Sequence, residues 1–186
     1  MVAIRPATVA DARIIAEVNV AVWRSAYRGI ISDGFLDSRL SVDGKVEDWT
    51  QALRAGAPGA TLLAEDDGFA IGYASGGPGR GRTSADGELY AIYIRPEHHQ
   101  LGLGRRLVAG VVRHLRDRGR TTLLVWVLAG NRPARRFYEA LGGVVCDRQV
   151  LQFPTEAVAE VSYRWEDSAL LLDQPWAASN DPAKSI

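Results

Sequence analysis

The chain has 186 residues, 47% of them hydrophobic and 24% charged. At roughly 150 residues per domain this predicts one soluble globular domain with an ordinary core, and it excludes a fibrous repeat or a disordered chain. Twenty-two Lys and Arg balance twenty-two Asp and Glu, giving zero net charge and a pI near 6.8, which argues against a nucleic-acid partner held by a basic surface. Cys146 is the only cysteine, so neither an intrachain disulfide nor a Cys-cluster metal site can form. His98, His99 and His114 bring no further ligands at zinc-like spacing, and no metal is expected. The N-terminal segment lacks the features of a secretory signal, and no apolar run approaches the ~20 residues that span a bilayer. A cytoplasmic protein without membrane association is the expectation.

Val2 to Arg5 alternates like a short strand, stopped by Pro6. Thr8 and Asp11 then supply the hydroxyl and the acid of a helix start. That helix is predicted to run to about Tyr27, with Ile15, Val18, Val22 and Ala26 at three- and four-residue steps and Trp23 and Tyr27 one turn apart beside the stripe. Residues 32 to 55 read as two short helices. Thr61 to Glu65 and Phe69 to Ser75 flank Asp66-Asp67-Gly68, which predicts a hairpin. The glycine-rich segment 76 to 87 has no periodicity and reads as a mobile loop, with Arg80 and Arg82 as solvated charges or acceptor contacts.

Glu88 to Arg95 is a predicted strand ended by Pro96, followed by a helix from Gly102 to about Arg118, with a stripe of Leu103, Leu107, Val108, Val111, Val112 and Leu115, and a strand from Thr121 to Leu128. Asn131 to Leu141 forms another helix, stopped by Gly142-Gly143, and strands near 144 to 151 and 157 to 165 complete the domain. A single domain over 1–172 with a flexible tail over 173–186 is expected.

Two segments could carry chemistry. In IRPEHHQLGLGRRL, residues 94 to 107, a strand turns into a helix that opens Gly102-Leu103-Gly104-Arg105-Arg106. Small residues there expose free backbone N–H groups at the positive helix end, a site suited to phosphate; the same glycines also serve an ordinary helix start. A dinucleotide fingerprint needs a third glycine where Leu107 stands, and no Gly-Lys-Ser or Gly-Lys-Thr occurs anywhere.

The second segment is NRPARRFYEALGG, residues 131 to 143. Asn131, Ala134, Phe137, Tyr138 and Gly142 resemble the Asn-x-x-Ala-x-x-Phe-Tyr-x-x-x-Gly signature of the GNAT superfamily of acyl-CoA-dependent N-acyltransferases. Residues His99 to Gly104 are similar to that family's Gln/Arg-x-x-Gly-x-Gly/Ala pyrophosphate loop, with His99 departing at the first position. The order of elements over about 2 to 166 is similar as well. The resemblance implies an α/β fold whose mixed, mostly antiparallel sheet carries helices on both faces and splays between its fourth and fifth strands. It also implies acetyl-CoA as co-substrate, contacted by Ile92, Tyr93, Ile94, His99, Gln100, Leu101, Gly102, Leu103, Gly104, Arg105, Asn131 and Arg135.

Within the resemblance, Glu88 occupies the position of a general base and Tyr138 that of an acid for the departing thiolate. A solvated strand-edge acid and a packing aromatic are the alternative readings of the two. An alkylammonium must lose its proton before attack, and a thiolate must gain one on leaving, so the chemistry needs both groups. Trp23 and Tyr27 match the acceptor wall, or are simply core. The implied function is transfer of an acetyl group to a primary amine by direct attack in a ternary complex, with a small-molecule or peptide amine as partner. The rival is a noncatalytic acyl-CoA-binding module. A homodimer is among the assemblies that exposed strand edges allow.

Overall fold

The structure is a computed structural model that describes residues 1–54, 59–81, 85–99, 102–154 and 156–172. The 173–186 tail, Gln100, Leu101 and Arg82 lie outside the described residues. Seven strands form one sheet: β1 Val2–Pro6, β2 Ala60–Asp66, β3 Phe69–Pro78, β4 Gly87–Ile94, β5 Leu123–Leu128, β6 Val144–Gln152 and β7 Ala157–Trp165. Their order is β1-β2-β3-β4-β5-β7-β6, antiparallel except for the β4–β5 pair. Five helices pack on it: α1 Ala12–Ala26, α2 Asp33–Ser38, α3 Val42–Arg54, α4 Leu103–Arg116 and α5 Arg132–Ala140. None of them is long and apolar enough to cross a membrane.

Alternation along the strands separates two cores. Leu89, Val125, Val161 and Tyr163 face Leu103, Leu107, Val111 and Leu115 of α4 on one side. On the other, Leu63, Ala70 and Tyr73 meet Ile15, Val18 and Val22 of α1. The predicted α4 stripe is therefore the buried face of that helix, as a 3.6-residue period requires. This is the expected mixed α/β sheet with helices on both faces.

Segment 76 to 87, of which 82–84 lie outside the described residues, departs at its two ends from its reading as a mobile loop. β3 continues through Gly76, Gly77 and Pro78, which pair with Leu89, Glu88 and Gly87 of β4. The glycines are there for close approach. A Cβ on Gly76 would lie 2.5 Å from Val111 Cγ1 and 2.8 Å from the Glu88 carbonyl oxygen, and one on Gly77 would lie 2.6 Å from the Tyr90 hydroxyl. Sequence alone gives a glycine run the same appearance whether it frees the chain or admits a neighbour.

The first predicted helix also begins differently, with a 3₁₀ turn at Val9–Asp11 before α1. The Thr8 N–H and hydroxyl both donate to Asp11 Oδ2, at 2.7 and 2.9 Å. Arg5 clamps the same carboxylate at 2.9 and 2.7 Å while donating to Glu65 on β2. Bonds from Arg5 hold the Asp11 carboxyl well below the usual carboxylate range, against partial burial that works the other way.

A depressed carboxyl stabilises the fold above its unfolded-chain pKa of about 4, and this contribution is lost as pH falls through the folded value. Asp11→Asn should therefore lower the unfolding free energy at pH 7 by about 1–2 kcal/mol, a figure reduced for the solvent around Arg5. The difference from wild type should close progressively below about pH 4 in urea titrations.

Candidate active site

β4 pairs with β5 over only three positions, Gly87–Leu123, Glu88–Leu124 and Leu89–Val125. Beyond Leu89 the register with β3 shifts, leaving Tyr90 as an extra residue between Leu89 and Ala91. A bulge of this kind increases local twist and bends the strand. From Ala91 to Ile94, β4 keeps only β3 as a partner, which is the expected splay. Arg95 N–H donates to Ile71 O. By antiparallel alternation Tyr93 and Ala91 exchange their bonds with β3, so the N–H and C=O of Ile92 and Ile94 face the gap. Ile94 O already meets His99 Nε2 at 2.9 Å.

The helix start lies beside this open edge. Gly102 has φ 71° and ψ 0°, a left-handed conformation that a side chain would strain, and it leaves α4 without a side-chain cap. Leu103 turns its side chain into the core, so it offers only its backbone to the first turn. A Cβ on Gly104 would lie 3.1 Å from Phe137 Cζ and 3.6 Å from Ile94 Cδ1. That contact joins the two sequence segments: the second glycine of one is the seat for the Phe of the other. Arg105 is half-buried and engaged within the protein.

α5 is capped by Asn131, whose Oδ1 accepts the Ala134 N–H at 3.2 Å. Arg135 donates to the Tyr163 hydroxyl at 3.0 Å and to Ala129 O at 3.2 Å, so its guanidinium is directed to β7 and the end of β5. Tyr138 is 5% exposed, with Tyr163 and Trp165 rings at 5.8 and 6.3 Å. Among the described residues its hydroxyl has no hydrogen-bond partner. Burial pushes the phenol well above its ordinary pKa, with a smaller contribution from nearby Tyr93, so it is protonated at neutral pH.

On the opposite face, Tyr27 and Tyr93 hydroxyls lie 3.2 Å apart, and burial raises both phenols. The Trp23 ring lies 5.1 Å from Tyr27 and 6.5 Å from Phe153, which in turn stacks edge-on against Phe35 at 5.2 Å. Glu156 Oε1 accepts the Ser32 N–H at 2.7 Å, tying the segment after β6 to the start of α2. The expected pair Trp23 and Tyr27 thus stands in an aromatic cluster beside the gap. Sequence reasoning missed the side chains of Tyr93, Phe35 and Phe153, which come from three separate elements and share no local pattern.

Glu88 is 2% exposed, not a solvated strand-edge acid. Its Oε2 accepts the Arg80 N–H at 2.9 Å and its Oε1 accepts Arg80 Nε at 3.2 Å, with Nη2 closing the ion pair. Arg80 also lies over the Tyr90 ring at 4.0 Å, so it is paired with Glu88 and is not the solvated loop charge its segment suggests.

The Acetyltransferase (GNAT) family model matches residues 23–143. The chain belongs to this family. An uncharacterized N-acetyltransferase of Bacillus subtilis (strain 168), YuaI, is 32% identical over 173 residues, covering 92% of this chain and 96% of that protein. The L-amino acid N-acyltransferase MnaT of Escherichia coli (strain K12) is 32% identical over 147 residues, 76% and 79% of the two chains. A mycothiol acetyltransferase of Thermomonospora curvata is 40% identical, but only over 46% of this chain and 28% of its own length.

Among solved structures, the PaiA N-acetyltransferase of Thermoplasma acidophilum in complex with coenzyme A superposes with TM-score 0.67 at 18% identity, over 89% of this chain and 99% of that one. YncA of Salmonella typhimurium with acetyl-CoA gives 0.66 at 23%, over 97% and 99%. Both share the fold of this GNAT chain.

The Arg80–Glu88 pair makes a test. Arg80→Met strands a buried carboxylate and should cost about 1–3 kcal/mol, reduced for the exposure of Arg80. In the Arg80→Met/Glu88→Gln double variant part of that loss should return, and a coupling energy of at least about 1 kcal/mol in a denaturation cycle is expected.

Proposed function

We propose that this GNAT chain transfers an acetyl group from acetyl-CoA to the amine of a small molecule by direct attack in a ternary complex. The observation that carries the reading is the open β4 edge at Ile92 and Ile94 beside the uncapped α4 start, since the two meet at Gly104. An extended amide chain can add to such an edge through backbone hydrogen bonds. Free N–H groups at a helix N-terminus suit a pyrophosphate. The fit is supported by glycine where a side chain would strain the backbone, at Gly102, or meet Phe137, at Gly104.

In the proposed reaction the amine nitrogen forms a bond to the thioester carbon, the carbon–sulfur bond breaks, and the thiolate takes the Tyr138 hydroxyl proton. The proton lost by the amine passes through water to the Glu88 carboxylate, which Arg80 positions. Holding both reactants at one site supplies the orientation that a bimolecular encounter lacks. MnaT, named for L-amino acids, and the mycothiol acetyltransferases support a small-molecule acceptor.

Acetyl-CoA at 100 times its dissociation constant should stabilise the fold by about 2.7 kcal/mol, readable as a rise in Tm. Gly104→Val should abolish that rise. Absence of any shift and of calorimetric binding would remove the cofactor assignment.

Tyr138→Phe keeps the ring packing and should lower kcat by about 10²–10⁴ with little change in the KM of either substrate. Normal single-turnover chemistry in the Phe variant would assign the ring to packing alone. Binding of acetyl-CoA without transfer to any amine would favour a noncatalytic module.

A further inference from the structure

The Tyr93 side chain stands across the splay. It packs against the cluster that holds Val18, Val22 and Tyr73, and equally against a second cluster that holds Tyr27, Leu128 of β5 and Val158 of β7. β4 and β5 have already parted at this level, so the phenol spans the gap between them. Glu160 of β7 and Tyr138 of α5, both from the far side, lie within its electrostatic reach.

The Tyr93 hydroxyl lies 3.2 Å from that of Tyr27 and also has the Trp23 indole N–H as a hydrogen-bonding neighbour. An indole N–H can only donate. Tyr27 is buried where Tyr93 is half-buried, and among the described residues the Tyr27 hydroxyl has no other partner. A Tyr27 proton turned away from Tyr93 would be a buried donor without an acceptor, which native structures avoid. Tyr27 therefore donates, and Tyr93 accepts from two directions. A hydroxyl has two acceptor lone pairs and one proton, so the Tyr93 O–H is left to donate, and among the described residues nothing accepts it. Hydrogen bonds received by its oxygen polarise this O–H and make it a stronger donor.

In a ternary complex the reacting atoms are the amine nitrogen, the thioester sulfur and the carbonyl oxygen. The nitrogen needs its lone pair for attack, so a hydrogen bond donated to it would oppose the reaction. The sulfur is served by Tyr138 from α5. The carbonyl oxygen gains negative charge as the nitrogen adds, and a fixed donor aimed there stabilises the transition state more than the ground state.

We propose that Tyr93 is a catalytic residue whose side-chain hydroxyl donates a hydrogen bond to the thioester carbonyl oxygen, with Tyr27 and Trp23 as the residues that position it. The inference rests on the N-acetyltransferase reading and adds a side-chain group to it. No proton is transferred to the oxygen: the bond strengthens as the nitrogen adds and relaxes when the carbon–sulfur bond breaks.

Infrared spectra of the full chain with acetyl-CoA isotope-labelled at the thioester carbonyl test the contact without an acceptor. The carbonyl stretch should fall on binding to the wild-type protein and return most of the way in Tyr93→Phe, which keeps the ring and deletes the hydroxyl. Tyr27→Phe should return it part of the way, and it supplies the readout if Tyr93→Phe does not fold. Transfer is then measured to the fastest wild-type substrate among the standard amino acids, phenethylamine and spermidine. Tyr93→Phe should lower kcat by about 10²–10³, with the KM for acetyl-CoA changed by less than about threefold. Tyr27→Phe alone should lower kcat by about 2- to 10-fold, and added to Tyr93→Phe it should cost nothing further, because it acts through a hydroxyl already removed.

An unshifted wild-type stretch, or normal kcat in a folded Tyr93→Phe protein, would overturn the inference while leaving N-acetyl transfer intact. A shift that depends on Tyr93, with no amine acetylated, would uphold the contact and overturn the transferase reading. Failure of acetyl-CoA to bind would overturn both.

Discussion

The site depends on β4 serving two sheets' worth of geometry in eight residues. Its first three positions are locked between β3 and β5, and its last four are held by β3 alone. A strand paired on both sides has no backbone groups left for a ligand, and a strand with a long free edge invites aggregation. Here the free stretch is short, begins at the Tyr90 bulge, and is flanked by α4 and α5. The core on the α4 face is what keeps β4 and β5 joined at one end while they part at the other. Leu89 and Val125, at the last shared pair, both sit in that core.

Polar groups in the site divide along the same line. On the α5 side the buried Tyr138 phenol is packed among rings and, among the described residues, has no bonding partner, which favours its neutral form, whereas the neighbouring Tyr163 hydroxyl is bonded to Arg135 and Glu139. On the other side the acid Glu88 is buried with a cation on it. Burial of a carboxylate without such a partner would cost several kcal/mol, so Arg80 is a condition for Glu88 being where it is. The chain's zero net charge conceals this arrangement, because balance over 186 residues says nothing about which charges are neutralised locally.

What sequence made legible follows from the range of the interactions involved. The α4 stripe and the Asp67-Gly68 turn are set by residues within one or two turns of each other, and each stands where periodicity and turn chemistry place it, whereas Asn131, read as the first residue of its helix, is the cap before Arg132. Gly76 and Gly77 were opaque because their reason lies in Val111 and Tyr90, contacts fixed only by the sheet and α4 coming together. Arg80 and Glu88 are eight residues apart, yet they meet because Gly77 and Glu88 pair across β3 and β4. No short-range pattern announces such a meeting. The aromatic cluster is further out of reach, since Trp23, Phe35, Tyr93 and Phe153 belong to four places in the chain.

These ranges bear on how the two halves of the site can vary. The half beside α4 is built from backbone: open groups at Ile92 and the N–H of Ile94, amides at the helix start, Gly102 with its left-handed backbone and Gly104 against Phe137. Substitution there is limited by sterics, which is why its signature survives in a short stretch of sequence. The half beside α1 is built from side chains that can each be exchanged without moving the backbone. Its character is therefore set by particular residues such as Trp23 and Phe153, and membership of a fold family constrains it little. A chain can keep the first half and change the second by a few substitutions, so the choice of acceptor has to be argued from the side chains present in the aromatic cluster of Trp23, Tyr27, Phe35 and Phe153.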